Sequence, residues 1–101
     1  MSNAIEIRRT RDFDTWLLRI RDPVGVAVIT SRIDRMAKGQ FGDVRSVGDG
    51  VQEARIFAGP DYSLYFVRRG AALIVLLCGG DKGSQTRDIA RAKLLARTLE
   101  L

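Results

Sequence analysis

The side chains that could do chemistry in this 101-residue sequence are those of arginine, lysine, tyrosine, glutamate, aspartate, glutamine and serine. The sequence has no histidine and a single cysteine, so it cannot assemble a cysteine and histidine zinc site or a serine, histidine and aspartate triad. The remaining side chains suit metal-free cleavage of RNA, in which the 2′-hydroxyl attacks the neighbouring phosphate and protein cations stabilise the added negative charge. We therefore expect no metal and no cofactor.

Glu53 and Arg55 lie two residues apart in a predicted strand, so their side chains emerge on one face of that strand. In one interpretation, Arg55 is a clamp for a phosphate group. In the alternative, the face is solvated and the two residues form one ion pair, worth about 0–1 kcal/mol. The strand by itself leaves both interpretations open.

Aromatic and basic residues follow on the next strand and in the loop after the sheet. The rings of Tyr62 and Tyr65 could stack on splayed RNA bases, or they could pack in the core. Lys82 lies in a glycine-rich loop, 79–84, before a predicted helix whose free N–H groups favour an anion. The loop lacks the spacing of a nucleotide-binding P-loop, so Lys82 is predicted to be a second cation and not part of a nucleotide site.

The elements that must position these residues begin with a short strand and two helices. Apolar and charged residues alternate over 5–8, which predicts the strand. Thr10 can cap the first helix, and Asp22 followed by Pro23 predicts the start of the second, which closes at 38–39. Because the connection between the two helices is short, we expect an antiparallel helical hairpin.

After residue 39 the hydrophobic period changes from helical to strand-like, with glycines between short segments. A final helix follows Ser84, which can cap it. The element order β-α-α-β-β-β-β-α predicts one α+β domain over 1–101, with an antiparallel meander packed against the helical hairpin and the C-terminal helix. The predicted meander strands cover residues 44–47, 51–58, 62–69 and 71–78.

The sequence carries 17 Lys and Arg residues against 12 Asp and Glu residues, a net charge of +5. This balance is compatible with a polyanionic partner, but many soluble proteins are this basic, so a solubilising surface charge is the alternative. The apolar run 71–78 is too short to span a membrane and residues 1–4 open no signal segment, so we expect a cytosolic protein. Cys78, within the apolar run, is predicted to be a small core residue.

Two long segments, VGDGVQEARIFAGPDYSLYFV and LIVLLCGGDKGSQTRDIARAKLLA, closely resemble the addiction-module killer proteins, the HigB-like branch of the RelE/ParE toxin superfamily. The segments TRDFDTWLLRIRD and SRIDRMAKGQFGD extend the resemblance over nearly the whole chain. Its most specific part is GGDK-x-x-Q-x-x-DI, from Gly79 to Ile89.

The resemblance implies a RelE/ParE-like fold and a bacterial type II toxin whose partner is a small helix-turn-helix antitoxin. Better-known relatives cut messenger RNA on the translating ribosome, and the superfamily also contains proteins that inhibit DNA gyrase. A degenerate toxin that only binds its antitoxin is a third alternative. Strand position and motif position together indicate seven candidate site residues: the catalytic candidates Arg55, Lys82, Tyr65 and Glu53, and the RNA-binding candidates Gln85, Tyr62 and Ser63.

The resemblance also implies a role for most of these candidates. Arg55 and Lys82 would neutralise the scissile phosphate, and Gln85 would hydrogen-bond RNA. Tyr65 would stack on or orient a base, and Glu53 would position Arg55. The sequence does not identify a general base.

Ser63 departs from the family pattern. Where that pattern reads Gly-Tyr-Arg-Val-Tyr, residues 61–65 read DYSLY, and a serine lacks the fork of five donors with which arginine matches a phosphate. We therefore expect a slow or narrowly specific nuclease. If the preceding hairpin loop has an odd number of residues, Ser63 and Tyr65 share a face with Glu53 and Arg55.

Overall fold

The computed structural model describes residues 4–99, and within them the elements follow one another in the predicted order. The domain predicted over 1–101 therefore includes residues 1–3 and 100–101, which lie outside the described range. Three of the four residues 1–4, which were expected to open no signal peptide, also lie outside it. The strands are β1 (Glu6–Arg9), β2 (Val44–Gly48), β3 (Val51–Ile56), β4 (Tyr62–Arg69) and β5 (Leu73–Asp81). The helices are α1 (Arg11–Arg19), α2 (Pro23–Ala37) and α3 (Gln85–Thr98), with a 3-10 turn at Lys82–Ser84.

Both N-terminal helices begin where the sequence predicts. The Thr10 side chain accepts a hydrogen bond from the Phe13 backbone N–H at 3.1 Å, and the Asp22 carboxylate accepts one from the Val24 N–H at 3.0 Å. Each cap satisfies a backbone donor that the first turn of a helix leaves free. Pro23, in the first turn of α2, has no N–H that would need such a partner.

The five strands form one mixed sheet in the order β1-β5-β4-β3-β2. Strands β2 to β5 are antiparallel neighbours, which confirms the predicted meander. Strand β1 pairs in parallel with β5 at the edge of the sheet, a pairing that the sequence pattern did not reveal. The sheet and its three helices make this an α+β protein.

Helices cover both faces of the sheet. On one face, α1 and α2 contribute Phe13, Ile29 and Met36 to a core that also contains side chains of β3, β4 and β5. On the other face, Ala92 of α3 packs in a second core with Tyr65 and other strand residues. Helix α1 contacts mainly β5, and helix α2 contacts β1. Both helices of the predicted hairpin therefore pack against the sheet.

Strand β5 runs further than predicted. The sequence predicts a loop over 79–84, but Gly79 pairs with Leu64, Gly80 with Ser63 and Asp81 with Tyr62, and the strand ends at Asp81. The loop prediction is therefore wrong for residues 79–81, since glycine also occurs in strands that a neighbouring element approaches closely. The extension brings the end of β5 level with the start of β4.

Two further predictions concern burial and membrane spans. Cys78 is 6% exposed, which confirms it as a core residue, and burial raises the pKa of its thiol to about 12. Within residues 4–99 no helix is long and apolar enough to cross a membrane. In the same range no group of three or more His, Cys, Asp and Glu residues is placed to hold a metal ion.

Candidate functional site

The hairpin between β3 and β4 sets the geometry of the site. Its connection, residues 57–61, has an odd number of residues, and Arg55 lies directly opposite Ser63 across the two strands. Glu53 lies opposite Tyr65 in the same register. The four side chains therefore share the sheet face that α3 covers, as the odd-loop condition requires.

A cleft of about 220 Å³ is lined by residues of this hairpin and of the turn before α3. It brings together five of the seven candidates, whereas Glu53 and Tyr65 do not line it. Its charged groups are two cations and one carboxylate. Within the described residues 4–99 the lining is Arg55, Ile56, Phe57, Asp61, Tyr62, Ser63, Lys82 and Gln85.

Glu53 is fully buried and contacts two residues of the cleft wall. Its Oε2 accepts hydrogen bonds from Ser63 Oγ at 2.6 Å, Gln85 Nε2 at 3.0 Å and the Tyr65 hydroxyl at 3.1 Å. Its Oε1 accepts a hydrogen bond from Arg45 Nε at 2.6 Å. Since the donors come from β2, β4 and α3, one carboxylate on β3 holds three other elements together.

The protonation state of Glu53 follows from these contacts. Burial by itself raises its pKa, but hydrogen bonds from Ser63, Arg45 and Gln85 and the positive charge of Arg45 together outweigh burial and bring the pKa below its ordinary value. Burial and the charge of Glu53 in turn raise the pKa of Tyr65. Glu53 is therefore an ionised, hydrogen-bonded and inaccessible group, suited to positioning its neighbours and unsuited to taking a proton from a substrate.

Glu53 does not position Arg55, which corrects the expectation from their shared strand face. Arg45 lies directly opposite Glu53 on β2 and reaches its carboxylate. Arg55 pairs instead with Asp43, whose Oδ2 lies 3.1 Å from Nη2. The physical reason is distance, because directly opposed residues of antiparallel strands lie closer together than residues two apart along one strand.

Arg55 is the first cation of the cleft wall, and its side chain is 38% exposed. Its guanidinium lies over the ring of Phe57, 5.3 Å from the ring centroid, in addition to its ion pair with Asp43. The Nε atom is buried and has no hydrogen-bond partner in the part of the chain that the structure describes. Arg55 is thus held in place at the cleft with one donor unused.

Lys82 is the second cation, and its side chain makes no ion pair or hydrogen bond within residues 4–99. Its backbone lies in a turn in which the Asp81 carboxylate accepts the Gly83 N–H at 2.9 Å and Ser84 Oγ accepts the Asp81 N–H at 3.3 Å. Ser84 was predicted to cap α3, but its side chain makes no such bond and completes this turn instead. An unpaired ammonium on a held backbone is suited to an anionic ligand.

The two tyrosines are core residues, and the expected role of Tyr65 as a ring that stacks on a base is wrong. Tyr65 is 0% exposed and its hydroxyl is bonded to Glu53. Tyr62, an odd number of positions away, lies on the opposite sheet face and is 7% exposed, with Trp16 edge-on at 6.2 Å between centroids. Tyr62 lines the cleft but presents no free ring face, so core packing explains both residues.

Phe57 and Asp61 line the cleft, although neither is among the site residues that the sequence indicates. Phe57 is 67% exposed, which leaves its ring open to solvent beside Arg55. Asp61 has φ of 62°, a left-handed conformation that is uncommon for residues other than glycine. The sequence feature that could have indicated them is their position, since both residues lie in the turn between the two strands that carry site residues. Such loops often carry functional groups.

No protein-family model matches the chain. A protein of Haemophilus influenzae (strain ATCC 51907 / DSM 11121 / KW20 / Rd), described as an uncharacterized protein, is 45% identical over 98 residues, which cover 97% of this chain and 99% of the relative. The match extends over both chains nearly from end to end. The chain belongs to the same family as this uncharacterized Haemophilus influenzae protein.

Proposed function

We propose that this protein is the toxin of a bacterial type II toxin–antitoxin pair, with a RelE/ParE-type topology, and that it cuts messenger RNA on the translating ribosome in the cytoplasm. The observation that carries the proposal is the cleft, where Arg55 and Lys82 meet Ser63 and Gln85. These residues come from β3, β4, the 3-10 turn and the first position of α3. The sequence resemblance to killer proteins supports the same function.

The cleft suits a phosphodiester because its two cations can face the non-bridging oxygens of one phosphate. Charge that develops on the phosphate when the 2′-hydroxyl attacks is then stabilised by Arg55 and Lys82, which both line the cleft. Gln85 donates one amide N–H to Glu53 and keeps a second N–H and its carbonyl oxygen for RNA. Glu53 acts as a positioning residue, since it holds Gln85 and Ser63 and does not line the cleft.

An aromatic contact for an RNA base is provided by Phe57. Its exposed ring lies at the cleft next to Arg55, whereas the rings of Tyr62 and Tyr65 are buried. Stacking on an exposed ring is worth about 1–3 kcal/mol per base and tolerates any base. Phe57 therefore takes over the stacking role that the sequence analysis gave to tyrosine.

The test is controlled expression of the wild type, Arg55→Ala, Lys82→Ala and Lys38→Ala proteins in a bacterium, followed by mapping of transcript ends. The same four proteins, once purified, are then incubated with a message in the presence and in the absence of ribosomes. We expect wild type to arrest growth and to cut ribosome-bound messages. Arg55→Ala and Lys82→Ala lose about 10²-fold to 10³-fold in cleavage rate, since each removes charge stabilisation in the transition state. Lys38→Ala removes the same charge from an exposed position outside the cleft lining and retains the wild-type rate.

Each rival class has its own outcome in that experiment. Intact transcripts together with cleaved DNA–gyrase complexes would favour the non-catalytic gyrase inhibitor. Normal growth with intact transcripts would favour a degenerate toxin, an alternative consistent with the serine at position 63. Full cleavage by Lys82→Ala would contradict the role given to Lys82, even if the protein is a nuclease.

The proposed antitoxin has a separate test. The net charge of +5 and the unpaired Lys82 favour a partner that covers the cleft with an acidic or amphipathic element. We expect a short helix-turn-helix protein encoded by the neighbouring gene to co-purify with this protein and to block its cleavage of RNA. Failure of the two proteins to associate would contradict the partner assignment.

A further inference from the structure

Among residues 4–99, the cleft lining contains a single carboxylate, that of Asp61. Cleavage by a 2′-hydroxyl needs a group that accepts the hydroxyl proton, and the proposed function so far supplies only cations and hydrogen-bond donors. Glu53 cannot serve, because it is fully buried and both of its oxygens already accept hydrogen bonds. Tyr65 is equally inaccessible.

The side chain of Asp61 is free to meet a substrate. Within residues 4–99 its carboxylate makes no ion pair and no hydrogen bond, whereas its backbone N–H donates to the Ala58 carbonyl oxygen at 3.0 Å. The turn thus fixes the backbone and leaves both carboxylate oxygens available. Asp61 lines the same cleft as Arg55 and Lys82, so it lies beside the two cations proposed to bind the phosphate.

The backbone conformation of Asp61 is one that an aspartate tolerates. Its φ of 62° lies in the left-handed region, where glycine is the residue of least strain and aspartate is tolerated at a cost. The turn geometry accounts for glycine, asparagine or aspartate at this position, and Asp49 has a similar φ of 56° in a turn outside the cleft lining. What distinguishes Asp61 is its place in the cleft lining, on the same short turn that carries Phe57.

We propose that Asp61 is the general base of the cleft, an inference that rests on the proposed nuclease function. The Asp61 carboxylate takes the proton of the RNA 2′-hydroxyl as the 2′-oxygen forms a bond to phosphorus. The bond from phosphorus to the 5′-oxygen breaks, and that oxygen takes a proton from solvent water. Asp61 then returns its proton to the hydroxide so formed, which leaves a 2′,3′-cyclic phosphate and a free 5′-hydroxyl.

The experiment compares single-turnover cleavage and binding on ribosomes programmed with one short message. Cleavage is measured with the natural message, and binding with the same message carrying a 2′-O-methyl group at the cleaved position, which blocks the attack. Asp61→Asn keeps the size of the side chain and the tolerance for a left-handed backbone. Asp61→Gly removes the carboxylate and also relieves the backbone, and Asp34→Asn makes the same charge change on the exposed surface of α2.

We expect both Asp61 variants to bind the blocked message as tightly as wild type and to cut the natural message about 10²-fold to 10⁴-fold more slowly. Asp34→Asn retains the wild-type rate. Equal cleavage by wild type and Asp61→Asn overturns the role of Asp61 and leaves the nuclease proposal standing. A variant that cuts slowly only because it binds weakly also overturns that role, and a wild-type protein that cuts nothing overturns both proposals.

Discussion

Among single residues, Glu53 shows how a buried charge can be both a cost and an organising contact. Removing a carboxylate from water is unfavourable, and here four donors and the Arg45 charge compensate. Two of those donors, Ser63 and Gln85, are also in the cleft wall. The stability of the fold and the shape of the cleft therefore depend on the same carboxylate.

This contact predicts a specific dependence of stability on pH. The pKa of Glu53 is lower in the folded protein than its ordinary value of 4.5, so the unfolded chain binds this proton more tightly. Its contribution is therefore present above about pH 4.5 and is lost as the pH falls through the folded-state value. In urea unfolding at pH 7, Glu53→Gln should lower the free energy of unfolding by about 3 kcal/mol, because the removed charge leaves its buried donors poorly paired.

The difference between wild type and Glu53→Gln should shrink as the pH is lowered from 5 to 3. Glu6→Gln is the matched control, since Glu6 is exposed and forms a surface ion pair with Arg8. That variant should change stability by no more than about 1 kcal/mol at any pH. A wild-type advantage over Glu53→Gln that stays constant across this pH range would contradict the ionised, buried state of Glu53.

At the level of elements, the end of β5 is where helices approach the sheet most directly. A Cβ atom on Gly79 would overlap the ring of Trp16 in α1, and one on Gly80 would overlap the Asp88 carboxylate in α3. The two glycines thus allow α1 and α3 to pack closely against opposite faces of one strand. The seating of α3 also fixes Gln85, its first residue, at the cleft.

Gly80→Ala should therefore lower the free energy of unfolding by about 1–3 kcal/mol, the usual cost of overpacking. A displaced α3 would also move Gln85 from the cleft, so Gly80→Ala should slow RNA cleavage as well. Gly83→Ala is the control, because its Cβ would lie 3.3 Å from an Asp81 oxygen in an exposed turn and its φ is not left-handed. Urea unfolding of both variants is the measurement, and equal stabilities would show that Asp88 moves aside without cost.

For the whole molecule, the sheet separates two cores and most of the stability comes from filling them. Phe13 is 0% exposed in the core under α1 and α2, whereas Phe57 is 67% exposed at the cleft. Phe13→Ala should lower the free energy of unfolding by about 3–5 kcal/mol, because it removes buried apolar area and leaves a cavity. Phe57→Ala should lower it by no more than about 1 kcal/mol, the worth of an exposed cation–π contact.

The denaturant midpoints of these two variants test whether Phe13 stabilises the fold and Phe57 does not. RNA binding by the two variants, measured under conditions in which both remain folded, should show the opposite order of effects. Phe57→Ala weakens binding there, since it removes a stacking surface, and Phe13→Ala does not. A large loss of stability in Phe57→Ala would show that its ring supports the hairpin and is not free for a base.

Local interactions were sufficient to predict the element order and several boundaries. Thr10 and Asp22 mark the helix starts because a cap depends on residues within one turn. The shared face of Glu53 and Arg55 followed from the period of a strand, and Lys82 followed from its place before a helix. These predictions needed no knowledge of which strands are neighbours.

The partners of those residues were decided only by the folded chain. Glu53 bonds with Arg45 and Gln85, and Arg55 with Asp43, because the sheet places β2 beside β3 and packs α3 across them. Hydrophobic period shows which side of a strand is apolar, but it does not show what covers each side or how deeply. Burial of Tyr65, exposure of Phe57 and the free carboxylate of Asp61 depend on contacts between distant segments, and such contacts exist only after the chain has folded.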